Sequence, residues 1–233
     1  MDIKQSGIEM NSKIEKLIST LIILALAGIS PNLFVAAQAG YAKFSVLGLN
    51  VLVPSVLLMA AVMLIAYFRG HRALLRQVLV GITAGLIGTV GLEIFRHVGF
   101  LLGGMPGEMP KLMGVLLLDR FAQGPNFLSN LAGWGYHFWN GASFGIIYSL
   151  LIGKGKSWMG VIYGIIIGIG FMVSPAALSL GVGLFGADFG WGFPVTVILA
   201  HLAFGILLGT VVSHKGKAGF TLIGQIKSML TEG

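Results

Sequence analysis

The chain has 233 residues, of which 56% are hydrophobic and only 10% are charged. Because soluble domains carry about 25% charged residues, this chain cannot cover a water-facing surface, and its solvent must be lipid. The absence of cysteine excludes disulfides, thiolate metal sites and cysteine nucleophiles, and a +7 charge scattered over short loops does not form a nucleic-acid-binding face.

The apolar segments predict one all-α integral membrane domain over residues 1–233, a polytopic transmembrane bundle of about six spans. Residues 1–16 are expected to form an interfacial N-terminus, 103–127 an outer interfacial or re-entrant loop, and 213–233 an amphipathic tail. Ala37-Gln38-Ala39 resembles a signal-peptidase site, so a cleaved first segment is an alternative to a retained helix kinked at Pro31. The predicted spans are 17–39, 45–68, 77–102, 128–152, 158–183 and 191–212, and the fifth is expected to be interrupted at Ser174-Pro175.

The basic residues indicate the orientation. With a cytoplasmic N-terminus, six spans place eleven of the fifteen lysines and arginines on the cytoplasmic side, as the positive-inside rule requires. We therefore expect a multi-pass protein of the inner (plasma) membrane with both termini cytoplasmic. The eleven are Lys4, Lys13, Lys16, Arg69, Arg72, Arg76, Lys154, Lys156, Lys215, Lys217 and Lys227.

Two pairs of segments share spaced motifs. Segments three and five carry Gly-x3-Gly-x5-Gly, starting at Gly81 and Gly160, and segments four and six carry His-x3-Gly-x3-Gly, starting at His137 and His201. Both pairs begin on the same side of the membrane. The pattern predicts a parallel internal repeat of two helices, segments 3–4 and 5–6, related by an axis along the membrane normal.

His137 and His201 occupy equal depths in the two related helices and are candidate ligands of haem b or copper. The alternative is that each histidine has a structural role and forms a hydrogen bond that holds neighbouring helices together. His97 is a third candidate, because Glu93-x2-Arg96-His97 puts three ionisable groups on one face of a membrane helix.

Together with Asn140, these groups predict a polar cluster in the outer half of the bundle, either a cofactor site or a transport path. The alternative for Glu93 and Arg96 is a structural ion pair.

Met105, Met109 and Met113 recur every four residues in the outer loop. Thioethers suit Cu(I), so the three are candidate metal ligands beside the histidines. Methionine also fills irregular apolar surface, which is the alternative reading.

Motifs of enzymes are missing from the sequence. The residues around Gly155-Lys156-Ser157 resemble the end of a phosphate-binding loop, but Leu150 occupies the position that requires glycine. We find no HExxH, no G-x-S-x-G and no closely spaced carboxylates. Independent catalytic activity is not expected.

The stretch Gly81–Gly153 combines the glycine-spaced helix, the run Met-Pro-Lys-Leu-Met-Gly, and a histidine-containing helix that ends in Tyr-x-Leu-Leu. It resembles a family of small, glycine-rich, multi-pass prokaryotic membrane proteins of unknown function. The resemblance implies a membrane location and helical hairpins, and it transfers neither an activity nor a ligand.

Three functions remain open from the sequence. The first is a subunit or accessory protein of a larger, possibly redox-active membrane complex, with haem or copper in the histidine cluster. The second is a transporter or channel for a small solute or ion, and the third is a ligand-free scaffold. The expected partners are the lipid bilayer and other membrane subunits or further copies of the chain, and not nucleic acid.

Overall fold

All regular secondary structure in the part that the computed structural model describes, residues 3–217 and 220–231, is helical, which confirms the predicted all-α class for these residues. Residues 1–2 of the predicted N-terminal segment and 218–219 and 232–233 of the predicted tail lie outside the described residues. The helices are α1 (Ile3–Gln38), α2 (Phe44–Leu47), α3 (Val53–Phe68), α4 (Arg72–Leu101), α5 (Met109–Leu117), α6 (Phe127–Leu151), α7 (Trp158–Met172), α8 (Pro175–Leu178), α9 (Gly192–Lys215) and α10 (Leu222–Thr231).

Four stretches of described helix are long and apolar enough to cross a membrane, and they coincide with the first, second, third and sixth predicted spans. They are Glu9–Gln38 within α1, Phe44–Phe68 across α2 and α3, α4, and α9. Helix α6 is 25 residues long and contains no Asp, Glu, Lys or Arg. Helix α7 is apolar but has only 15 residues.

Two segments differ from the sequence-based boundaries. Helix α1 continues without a break from Ile3 through Pro31, whereas we expected a separate interfacial segment before the span. No glycine–proline breaker separates the two parts, and Lys and Glu are good helix formers. The predicted fifth segment, 158–183, is interrupted at Ser174-Pro175 as expected, because proline lacks the N–H that would continue the helix, but its helical part is shorter: α7 ends at Met172 and α8 runs only from Pro175 to Leu178.

Helix α4 is central, with α6 on one side and α9 on the other. Helix α7 packs on α9, while α5 and α1 pack on α6. The beginning of α4 and the end of α9 lie at the same end of the bundle, which we call the basic end because it carries Arg72 and Lys215. Helix α5 lies toward the opposite end. It starts at Met109, with Pro110 in the first turn, where proline is tolerated.

Glycine allows the central helices to touch backbone to backbone. A Cβ at Gly81 would lie 2.7 Å from the carbonyl oxygen of Gly145, and a Cβ at Gly85 would overlap the backbone of Gly141. Helix α7 meets α9 in the same way, where Gly160 faces the backbone of Gly205 and Gly209. In lipid, where no hydrophobic effect drives apolar helices together, such close packing is a main source of association.

Buried polar side chains add specific contacts near the basic end. The Gln77 Nε2 donates to the Ser149 carbonyl at 2.9 Å, and the Ser149 hydroxyl donates to the Gln77 carbonyl at 2.8 Å. Helix α10 is fixed to α1 by the side chains of Thr20 and Gln225, which are 3.1 Å apart between Oγ1 and Nε2. These bonds join helices that are distant in sequence and set their register.

Replacing Gly85 by alanine should destabilise the bundle by about 1–3 kcal/mol, because the new methyl group would overlap the backbone of Gly141. The matched control is Gly28→Ala in α1, where a Cβ meets nothing within 4 Å and alanine is the better helix former. Thermal unfolding in detergent, followed by tryptophan fluorescence, measures both. Equal melting temperatures for the two variants would contradict the proposed contact.

Candidate functional site

A cavity of about 470 Å³ lies between the helices on the side of the bundle away from the basic end. Helices α1, α4, α6, α7 and α9 line it together with the segment around α5, and most of its wall is apolar and aromatic. The predicted site residues on the wall are Arg96, Met105, Met109, Met113, His137, Asn140 and His201. The structure thus brings seven residues that are dispersed in sequence to a single cavity.

His201 is held by its own helix. Its Nδ1 lies 2.8 Å from the carbonyl oxygen of Val197, one turn earlier, and its ring stacks on Phe171 with centroids 6.4 Å apart. A carbonyl can only accept, so Nδ1 carries the proton and Nε2 is left with a free lone pair. Gly168 of α7 makes room for this ring, since a Cβ there would come 3.0 Å from the imidazole Cγ.

His137 has a charged partner. Its Nε2 lies 2.8 Å from Oε1 of Glu93, within ion-pair distance, although the contact lacks the geometry of a hydrogen bond. Glu93 lies on α4 and His137 on α6. The contact therefore joins the two helices at a level farther from the basic end than their glycine contacts. The side chains are 11% and 15% exposed.

Arg96 neutralises Glu93 from one turn further along α4. Its Nε lies 2.7 and 2.9 Å from the two carboxylate oxygens, and its Nη2 lies 2.6 Å from Oε2. The Arg96 side chain is only 6% exposed, and its Nη1 has no hydrogen-bond partner among the described residues. A buried guanidinium nitrogen on a cavity wall, with one donor group unused, is suited to an acceptor oxygen of a ligand.

Asn140 belongs to a second polar group, at the contact of α1 and α6. The Ser30 hydroxyl donates to Asn140 Oδ1 at 2.5 Å, and the Tyr136 hydroxyl donates to the Ser30 carbonyl at 2.7 Å. Tyr136 also accepts from the backbone N–H of Phe34 at 3.2 Å. These contacts surround Pro31, whose ring removes one helical hydrogen bond of α1.

The three methionines line the cavity on the side farthest from the basic end. Met109 and Met113 lie on one face of α5, four residues apart, and Met105 precedes the helix. All three are buried. Gly114 of α5 packs directly on the backbone of Gly133 in α6, which seats the helix over the cavity.

Two predicted residues do not line the cavity. Glu93 acts through its contacts with Arg96 and His137, and His97 lies on the exposed side of α4. Among the described residues, no group of three or more His, Asp or Glu side chains is arranged to hold a metal ion. Any metal would therefore depend on the imidazole and thioether groups or arrive within a cofactor.

Several lining residues were missed from the sequence. Thr89 and Thr196 contribute hydroxyl groups to the wall, and Phe144, Phe171 and Phe204 contribute rings. An isolated threonine or phenylalanine in an apolar span carries no signal of its own. One signal was present in the sequence. Gly168 continues the four-residue spacing of Gly160 and Gly164, which places a glycine of α7 next to the His201 ring.

Comparison with known proteins gives one match. Residues 75–218, which run from the start of α4 to just beyond α9, match the model of a family described as a family of unknown function, DUF6789. No curated protein and no solved structure matches the chain. The match confirms the predicted resemblance to an uncharacterised family and extends it beyond Gly81–Gly153 to the helices that line the cavity from α4 onward.

Removing the Glu93 carboxylate should cost about 3–5 kcal/mol of stability, because it leaves the buried Arg96 guanidinium uncompensated. Glu93→Leu tests this, and the double variant Glu93→Leu/Arg96→Met should recover most of the loss. The control is Asp119→Asn, which breaks a surface pair with Lys43 whose side chains are 62% and 68% exposed and should cost at most about 1 kcal/mol. Chemical or thermal unfolding in detergent supplies the measurement. A double variant no more stable than Glu93→Leu would contradict the reasoning.

Proposed function

We propose that this chain, which belongs to DUF6789, a family of unknown function, is an integral membrane protein that holds a small ligand in its cavity, and that b-type haem is the ligand its donors fit best. One observation carries the proposal. The His201 imidazole, the three thioethers and the unused donor of Arg96 line one largely apolar cavity.

The size of the cavity favours a cofactor over a bare ion. Ligand pockets in proteins commonly enclose about 300–1,000 Å³, are mostly apolar and contain a few convergent polar groups. The cavity of about 470 Å³ lies within this range. A metal ion by itself would leave most of the volume unfilled.

His201 is the proposed proximal ligand. Its Nδ1–H is occupied by the Val197 carbonyl, and haem-ligating histidines are commonly oriented by such a bond to their second nitrogen. The Nε2 atom of His137 faces the Glu93 carboxylate. We therefore do not propose that both histidines bind the iron equally, as their matching positions in the sequence suggested. A methionine thioether or the His137 ring would complete the coordination of iron.

Arg96 fits the periphery of the same cofactor. Haem carries two propionate groups, and a carboxylate oxygen would satisfy Nη1 of Arg96 with a charge-assisted hydrogen bond. The aromatic side chains Phe144, Phe171 and Phe204 supply flat apolar walls. The proposed role of the haem is electron transfer, with other membrane subunits or another copy of this chain as donor and acceptor.

Copper(I) is the second proposed ligand for this cavity. The Met105, Met109 and Met113 thioethers and the free nitrogen of His201 are soft and borderline donors of the kind that Cu(I) selects. The two ligands are separated by absorption spectroscopy and metal analysis.

Transport is a second candidate function. The helix break between α7 and α8 lies beside the cavity through Ser174, and Pro31 borders it from α1. Discontinuous helices next to a buried polar site are typical of solute and ion carriers. Uptake into proteoliposomes that is lost in Glu93→Gln would favour this function over cofactor binding.

We also propose the finer architecture: six spans with both termini cytoplasmic, in which α6 and the α7–α8 unit join the four apolar stretches described above. The contacts support a parallel repeat of α4–α6 and α7–α9. Gly81 approaches Gly145 in the first pair, and Gly160 approaches Gly209 in the second. These four glycines hold equivalent positions in the repeated motifs.

The haem proposal predicts that protein purified from haem-replete cells has a Soret absorption band, and that His201→Ala abolishes it by removing the iron ligand. The matched control is His97→Ala, which should retain the band because His97 is exposed and lies off the cavity wall. If the protein remains colourless after reconstitution with hemin, haem is excluded. Copper binding that falls in Met109→Leu/Met113→Leu but not in Met172→Leu would then support Cu(I), since Met172 is buried but lines no part of the cavity.

The six-span orientation can be tested directly, because the chain has no cysteine of its own. A single cysteine at Gln123 should react with a membrane-impermeant maleimide in intact cells. A single cysteine at Lys156 should react only after permeabilisation. Both positions are exposed in the structure, so access to the reagent depends on the membrane alone. Labelling of both in intact cells would contradict the proposed topology.

A further inference from the structure

A second cavity, of about 570 Å³, lies at the basic end of the bundle, far along α4 from the first. The first half of α4, the last turns of α9 and Tyr67 at the end of α3 form its walls. We call it the basic groove. The side chains at its mouth are Arg72, Arg76 and Lys215.

These three cations have no carboxylate partner among the described residues. Arg72 makes only a cation–π contact with Tyr67, at 5.6 Å from the ring centroid. Glu15, which lies nearby in the fold, is already paired with Arg69 and His71. Three like charges around one groove repel each other unless an anion lies between them.

The groove changes from charged to apolar along α4. Arg72, Arg76 and Thr83 follow one another on one side of the helix, and at 1.5 Å per residue the first and last are about 16 Å apart. Leu79 and Val80 of α4 and Val211 of α9 line the part beyond the arginines. Leu79 is 54% exposed, as expected of a side chain that faces lipid.

We propose that the basic groove is a binding site for an anionic phospholipid. The lipid phosphate lies between Arg72, Arg76 and Lys215, and one acyl chain follows Leu79, Val80 and Val211 toward the membrane interior. The planar guanidinium group of arginine can donate two parallel hydrogen bonds to a phosphate, and basic pockets between membrane helices are suited to anionic lipid headgroups. The site is independent of the cavity ligand, since none of its residues lines that cavity.

The full-length protein in detergent, incubated with phosphatidylglycerol or with phosphatidylcholine of identical acyl chains and examined by native mass spectrometry, tests the proposal. The wild type should retain phosphatidylglycerol preferentially. At about 1 kcal/mol for each of the two basic residues, Arg72→Gln/Arg76→Gln should lower the apparent affinity about thirtyfold. The control Lys154→Gln/Lys156→Gln removes two exposed charges outside the groove and should bind like the wild type.

Three outcomes would overturn the proposal. Equal retention of the two lipids excludes selection by charge, and equal loss in both double variants excludes the groove as the location. Displacement of phosphatidylglycerol by millimolar inorganic phosphate would identify a site for free phosphate. An unchanged elution volume and helical circular dichroism show that Arg72→Gln/Arg76→Gln is folded. If that variant is misfolded, Lys215→Gln provides the same comparison with a single charge.

Discussion

Direct backbone contact between glycine-lined helices is the constraint on which the rest of the structure depends. Gly81 and Gly85 bring α4 onto α6, and Gly160 and Gly164 bring α7 onto α9. Lipid is as apolar as leucine, so burying leucine would not hold these helices together. Close approach gains dispersion contacts that a single Cβ would remove. The glycines lie toward the basic end, where the backbones of each helix pair are in contact.

The cavity follows from where these contacts stop. On α6 the residue four positions before Gly141 is His137, and on α9 the residue four positions before Gly205 is His201, whose carbonyl oxygen still lies against Gly164 of α7. Both imidazole rings line the cavity. Helix α5 covers the space from the far side and contributes its methionines. The glycine contacts therefore lie on the side of the basic end, and the cavity lined by the candidate site residues lies beyond them.

The two histidines differ in their surroundings despite their equivalent positions. His137 faces the Glu93 carboxylate, whereas His201 stacks on Phe171 and bonds to a backbone carbonyl. The two motifs therefore provide one imidazole in a charged network and one with a free nitrogen in an apolar wall. This difference between the histidines is the reason that we propose a cofactor for the cavity and not a symmetric ion site.

The sequence by itself determined the all-α class, indicated the lipid environment and singled out the candidate site residues, because apolar length and the rarity of ionisable groups in lipid are local properties. It also indicated the glycine contacts, whose four-residue spacing defines one face of a helix. Only the tertiary structure decided that the outer-loop methionines and His201 share a cavity, that His97 does not reach it, and that Glu93 lies against His137. Those facts depend on the rotation and offset of helices far apart in the chain, which the packing of all helices sets jointly and no single segment encodes.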